Sequence, residues 1–131
     1  MLKHAQAIGV EQPYARFLGL ELLEADAHHA VLRLPYKPEL GDERVNGGAI
    51  SSLVDIAATC AFWADPAVTD KARGATIGFT INFLKLSVAT DLVATATVRR
   101  RGGSICVGDV SVTNPAGDEV AIANVTYKLQ P

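Results

Sequence analysis

The sequence predicts an α+β chain in which one antiparallel sheet wraps around a long apolar helix. Three observations predict it. In the stretch "RVNGGAISSLVDIAATCAFW", residues 44–63, the chain is almost entirely small and apolar from Gly47 onward, as far as Ala64. Four strand-like segments follow it with no further helix between them. Short turns bearing glycine or proline join the last three, which makes an antiparallel meander. Such a sheet must cover one face, and the apolar helix is the only element large enough to do so.

The elements follow in order. Residues 3–18 read as a short helix broken at Pro13. "GLELLEADAHHAVLRLPY" reads as two strands with a turn near Ala27 to His29. "KPELGDERVNGG" is a polar loop, and the helix runs from about Gly48 to Ala64, with Pro66 ending the pattern. In "TIGFTINF" the residues Ile77, Phe79, Ile81 and Phe83 alternate with Thr76, Gly78, Thr80 and Asn82, a period of two. "DLVATATVRRR" puts Leu92, Ala94, Ala96 and Val98 on one face. "SICVGDVSVT" follows the Gly102-Gly103 turn, and "EVAIANVTYKL" follows the turn from Asn114 to Gly117. No repeat, linker or low-complexity tract interrupts the chain, so residues 1–131 read as one domain.

Of the 131 residues, 49% are hydrophobic and only 6% aromatic, so the core is built mainly from Ala, Val, Leu and Ile. A chain of this length buries roughly two thirds of its unfolded surface without needing staples. The net charge of −2 gives no reason to expect nucleic acid as a partner. The N-terminus lacks the apolar run of a signal peptide, and Ser51, Ser52, Asp55 and Thr59 argue against a membrane span at residues 47–64. Cys60 and Cys106 sit in apolar surroundings with no disulfide or metal spacing, and a cytoplasmic protein without metal or cofactor is expected. The sequon at Asn124 falls inside a predicted strand.

One carboxylate breaks the apolar helix. Burying an unpaired charge is unfavourable, so Asp55 calls for a reason. Ser51, Ser52, Ala58 and Thr59 lie three and four residues from it and, with Gly48, form a narrow stripe of small and polar residues. The stripe is either the wet side of the helix or a site. Gly47 and Gly48 at the helix start offer bare backbone N–H groups, suited to an oxyanion. Gly47 and Asp55 are eight residues apart, about 12 Å along a helix, and cannot both touch one carbonyl within a subunit. If they cooperate, Gly47 of one chain meets Asp55 of another across a two-fold axis.

"NGGAISSLVDIAA" resembles the His-Gly-Gly…Asp helix signature of hotdog-fold thioesterases, of the phenylacetate-degradation (PaaI) type and its 4-hydroxybenzoyl-CoA relatives. The similarity covers nearly the whole chain, including "GATIGFTINFLKLS" and the closing "VTYKL". It implies an acyl-CoA thioesterase, homodimeric or a dimer of dimers, with acyl-CoA or an acyl carrier protein thioester as substrate. By resemblance, Asp55 is the general base or nucleophile, the Gly47 N–H polarises the thioester carbonyl, and Thr76 helps hold the attacking water. These roles make physical sense as proton transfer, oxyanion stabilisation and orientation. Gly48 belongs to the same substrate-binding loop.

The chain departs from the family pattern at Asn46, where relatives carry His, and at Asp42, where they often carry Asn. Asn46 hydrogen-bonds but does not titrate. Arg99 and Arg101, on one face of a strictly alternating strand, and Ser104 beside the glycine turn are candidates for the coenzyme A phosphates, with Lys85 and Arg73 weaker. The other reading of the arginines is a solvated strand end. His4, His28 and His29 read as surface residues and Cys60 as core. Asn82 and Asp109 have no functional account. Two alternatives stand beside hydrolysis: a hotdog module that binds acyl-CoA or lipid without turnover, and a dehydratase, which would want a His near the carboxylate.

Overall fold

The computed structural model describes residues 2–131. Two short helices, α1 (Leu2–Ile8) and α2 (Pro13–Leu18), precede β1 (Glu21–Ala25) and β2 (His29–Leu34). A single 3-10 turn, Pro38–Leu40, leads to the long helix α3 (Gly47–Trp63). Strands β3 (Arg73–Phe83), β4 (Leu92–Arg101), β5 (Ile105–Thr113) and β6 (Glu119–Gln130) complete the chain. Pro13 starts α2 rather than kinking one longer helix, because proline fits the first helical position, where no N–H is required. Gly19 then ends α2 in the left-handed conformation, at φ 81°. Asp26 makes the β1–β2 turn by accepting from the His28 and His29 N–H groups at 2.8 and 3.0 Å.

All six strands form one antiparallel sheet in the order β1-β2-β4-β5-β6-β3. This is the hotdog arrangement that the sequence predicts. The β4-β5-β6 meander lies at the centre, and β3 returns to the far edge to pair with β6. Leu53, Val54, Ala57, Cys60, Ala61 and Phe62 of α3 pack against Leu92, Ala94, Ala96, Val110, Val112, Val120 and Val125 of the sheet, all buried. Gly108 lets the helix come close, since a Cβ there would stand 3.1 Å from the Phe62 ring. Phe62 also stacks on Tyr127 at a centroid distance of 5.2 Å, and Trp63 Nε1–H donates to the Tyr127 hydroxyl at 2.7 Å.

Two β-bulges overturn the strict alternation expected from the sequence. In β3, Thr76 pairs with Tyr127 and Gly78 with Thr126, so Ile77 is an extra residue. Thr76 therefore shares the helix-facing side with Phe79, opposite buried Val125, instead of lying across the sheet from it. In β4, Val98 pairs with Gly108 and Arg100 with Val107, so Arg99 is the extra residue. That bulge sends Arg101, opposite buried Cys106, to the inner face and leaves Arg99 on the outer one. The two arginines do not share a face.

Candidate active site

Helix α3 begins at its cap. Asn46 has extended φ and ψ, and its Oδ1 accepts the Gly48 N–H at 2.7 Å. Its carbonyl accepts the Ala49 and Ile50 N–H groups. The N–H of Gly47 has no acceptor among the described residues. The two glycines are thus not equivalent: one N–H is consumed by the cap, and the other is available at the positive end of a 17-residue helix. A Cβ on Gly47 would stand 3.2 Å from the Phe83 ring, which lies against it.

The approach to this helix end is fixed. Gly41 sits at φ 145°, and a Cβ there would fall 1.9 Å from the Arg44 carbonyl, so only glycine makes this turn. Tyr36 Oη donates to the Gly41 carbonyl at 2.6 Å. The Asn46 N–H donates to the Leu40 carbonyl at 2.7 Å, and the Val45 N–H to the Ser87 carbonyl at 2.9 Å. Between this loop and residues 83–87 lies a cavity of about 540 Å³, bordered by Gly47, Ile50, Phe83, Leu86 and Ser87 with Arg44 and Lys85.

Two turns down α3, Asp55 is half-buried. Thr76 Oγ1–H donates to its Oδ1 at 2.6 Å, while Oδ2 has no partner among the described residues. The bulge at Ile77 makes this contact possible by turning Thr76 inward. Ser51 and Ser52 donate to the Gly47 and Gly48 carbonyls at 2.8 and 2.9 Å, and Thr59 donates to the Asp55 carbonyl at 2.9 Å. These hydroxyls bond back to their own helix, leaving the Asp55 carboxylate as the free acid–base group of the stripe. Ala58 is buried, and half-buried Ile56 takes part in the open strip instead. Tyr14 of α2 reaches Ser52 Oγ at 2.8 Å, a contact the sequence does not announce.

The remaining candidates sit elsewhere. Arg101 donates to the Phe62 and Ala61 carbonyls at 3.0 Å each and to the Ala27 carbonyl at 2.9 Å, with Asp65 3.6 Å away. It closes the C-terminus of α3, where positive charge and donors are both favoured. That end lies roughly 22 Å along the helix from Gly47. Arg99 is exposed and faces Asp109 at 3.4 Å. Asp109 also accepts from Asn124 at 3.0 Å, which accounts for one of the polar interruptions in the strands. Ser104 is half-buried at the β4–β5 turn, its carbonyl accepting the Leu129 N–H at 2.8 Å. Lys85 is paired with Asp118 at 2.7 Å.

Cys60 is fully buried, and burial pushes its thiol up to about 12, so it is core and not nucleophile. Cys106 is likewise raised by burial, its largest cause. His4 binds Asp70 at 3.0 Å. His29 is held between Glu24 at 3.2 Å and Asp26 at 2.9 Å, and the hydrogen bond to Glu24 raises its pKa above the ordinary value. None of the histidines is bonded to Asp55.

The comparisons agree with this architecture. A family model described as the thioesterase superfamily matches residues 43–121, from the loop before α3 into β6. A Halobacterium salinarum protein named "Putative esterase" is 30% identical over 124 residues, covering 86% of this chain and 82% of its own. Among solved structures, the E. coli PaaI protein from the phenylacetic acid degradation operon superposes with a TM-score of 0.81. It has 25% identity and covers 96% of this chain and 93% of its own. A thioesterase family protein of Silicibacter pomeroyi gives a TM-score of 0.85 at 21% identity, covering 97% and 96%, a likeness of fold. Fold and family together define a hydrolase of the hotdog class, acting on thioester bonds. The chain belongs to the thioesterase superfamily.

Proposed function

We propose that this protein is an acyl-CoA thioesterase whose active site is completed by a second copy of the chain. The observation that carries the reading is the pair formed by Thr76 and Asp55: a carboxylate on an apolar helix, oriented through one oxygen and open at the other. In the proposed reaction Asp55 acts as general base or as nucleophile. As base, its Oδ2 takes a proton from water, and the water oxygen adds to the thioester carbonyl carbon. The oxyanion accepts the Gly47 N–H of the opposite subunit. The carbon–sulfur bond then breaks, the thiolate leaves, and it receives the proton held by Asp55.

Asn46 supports this reading without titrating. It uses up the Gly48 N–H and so presents Gly47 alone to the carbonyl oxygen. A second copy is supported by the open edge strand β3, where Ile77, Phe79 and Phe83 are exposed, and by the segment after it, where Leu84, Leu86 and Val88 are exposed. Unpaired strand edges and contiguous apolar surface mark association sites. Arg99 and Ser104 are proposed at the rim for the phosphates of coenzyme A; Arg101 is committed to α3.

The test is free-thiol release from a panel of acyl-CoAs, with Asp55→Asn as control. Release that disappears in the variant, with fold and acyl-CoA affinity retained, supports the hydrolase. Acyl-CoA binding without release from any member would overturn it in favour of a binding module.

A further inference from the structure

The start of α3 stands between two clefts, and Asn46 borders both. On the Gly47 side is the cavity toward residues 83–87, where Ile50, Phe83 and Leu86 mix with the charged Asp42, Glu43, Arg44 and Lys85. On the Gly48 side is a second cleft of about 330 Å³, between α2 and α3. Leu18 and Leu40, both buried, form its floor, Ala49 lines it from the helix, and Tyr14 and Phe17 stand at its rim. Glu39 is the one charged side chain that lines it. The two rim aromatics are 55% and 64% exposed, yet each is tied in place. The Ser52 hydroxyl gives its proton to the Gly48 carbonyl at 2.9 Å, so the Tyr14 phenol is the donor in the 2.8 Å bond between them. Lys37 lies over the Phe17 ring at 4.9 Å, and its Nζ donates to the Phe17 carbonyl. Large aromatic side chains held in the open beside an apolar cleft mark a ligand site.

A thioester whose carbonyl oxygen rests on the Gly47 N–H has two arms to place, the acyl group and the pantetheine of coenzyme A. The two clefts differ as these arms do. Pantetheine carries amides and leads to phosphates, which suits the cleft with mixed polar and charged walls. An acyl chain offers hydrocarbon, which suits the cleft whose floor is apolar throughout. We propose that the cleft between α2 and the start of α3 receives the acyl group, with Phe17 and Tyr14 as specificity-determining residues. The acyl group it fits is uncharged and apolar. A terminal carboxylate there would face Glu39 and meet no cation among the lining residues, while Lys37 is already committed to Phe17. The assignment deepens the thioesterase reading of Gly47 and Asp55 and rests on it.

The experiment measures thiol release from acetyl-CoA, hexanoyl-CoA and adipyl-CoA, the last a chain of hexanoyl length ending in a carboxylate. The readout is the ratio of kcat/KM for hexanoyl-CoA to that for acetyl-CoA, whose acyl group is too short to fill the cleft. In Phe17→Ala that ratio should fall about tenfold, because one apolar wall is gone. Ala49→Leu fills the cleft from the helix side and should lower the ratio as well. Wild type should prefer hexanoyl-CoA to adipyl-CoA by about tenfold or more. Calorimetric binding of the same thioesters to Asp55→Asn, with and without Phe17→Ala, reads affinity without turnover. Thiol release with the ratio unmoved in both variants would overturn the assignment and leave the hydrolase reading standing. A dimer weakened in Phe17→Ala, with the ratio unmoved, would overturn it too and make the aromatic rim a contact between copies. Adipyl-CoA turned over as well as hexanoyl-CoA would also overturn it. No thiol release from wild type, with Phe17-dependent affinity for hexanoyl-CoA intact, would instead remove the hydrolase reading and keep the acyl cleft.

Discussion

Thr76 reaches Asp55, at 2.6 Å, because β3 carries one residue more than the segment of β6 it pairs with. The hydroxyl fixes one carboxylate oxygen and thereby aims the other. Thr76→Val keeps the shape and removes the donor. It should lower kcat by about 10- to 100-fold with a smaller change in KM, while Thr76→Ser should retain most of the rate. Steady-state kinetics on both variants checks this. A Thr76→Val enzyme with wild-type kcat would remove Thr76 from the site.

The proposed two-chain site makes a quantitative prediction. Gly47→Pro removes the N–H, and a first helical position after an extended residue such as Asn46 suits proline's backbone, with the Phe83 ring shifting a few tenths of an ångström to admit its Cβ. Gly47→Pro and Asp55→Asn should each be inactive alone. Unfolded together and refolded as mixed dimers, half the molecules would hold one chain of each kind, with one intact site of two. About a quarter of wild-type activity should return. Recovery of none would mean that both residues act within one chain, and activity in Gly47→Pro alone would mean that Gly47 takes no part.

Arg101 and Arg99 are adjacent but one in sequence and should behave differently. Removing the Arg101 side chain leaves the Phe62 carbonyl at the end of α3 and the Ala27 carbonyl in the β1–β2 turn without donors, leaves the Ala61 carbonyl only the Ala64 N–H, and leaves Asp65 without its cation. Arg101→Ala should destabilise the fold by about 2 kcal/mol. Arg99→Ala, at an exposed pair, should stay within about 0.5 kcal/mol. Urea unfolding of the two variants measures the difference. Equal midpoints would contradict the C-terminal role given to Arg101.

His29 gives a pH signature. Glu24 and Asp26 raise its pKa above the 6.5 of a free histidine. Its contribution is fully present below 6.5 and is lost as pH rises through the raised value. Stability should therefore decline slightly across that window, and His29→Gln should flatten the decline. The effect is small because the partners are largely exposed. A decline of the same slope in His29→Gln would assign it to another group.

The helix, its single charge and the meander are legible because hydrophobic periodicity and turn residues report burial directly. The long strand β3 also shows its period, but not its bulge. Strict alternation from Phe79 back to Thr76 places the threonine on the wrong side, and alternation from Arg99 to Arg101 puts those two together. An extra residue in a strand is set by the pairing partner, which no local pattern encodes. Only the resemblance to hotdog thioesterases pointed to Thr76, and nothing in the composition around it would have. Asn46 caps α3, a role the sequence reading does not assign to it. The asymmetry it creates between Gly47 and Gly48 needed the hydrogen bonds.

The open edge of β3 has a further consequence. An isolated chain leaves a ladder of backbone groups and a row of apolar side chains facing water, and mass action then decides how long it stays alone. If each working centre is drawn from two molecules, as proposed, activity per molecule becomes a function of protein concentration. Dilution would silence the enzyme without unfolding it, and the specific rate would climb with concentration until every edge is taken.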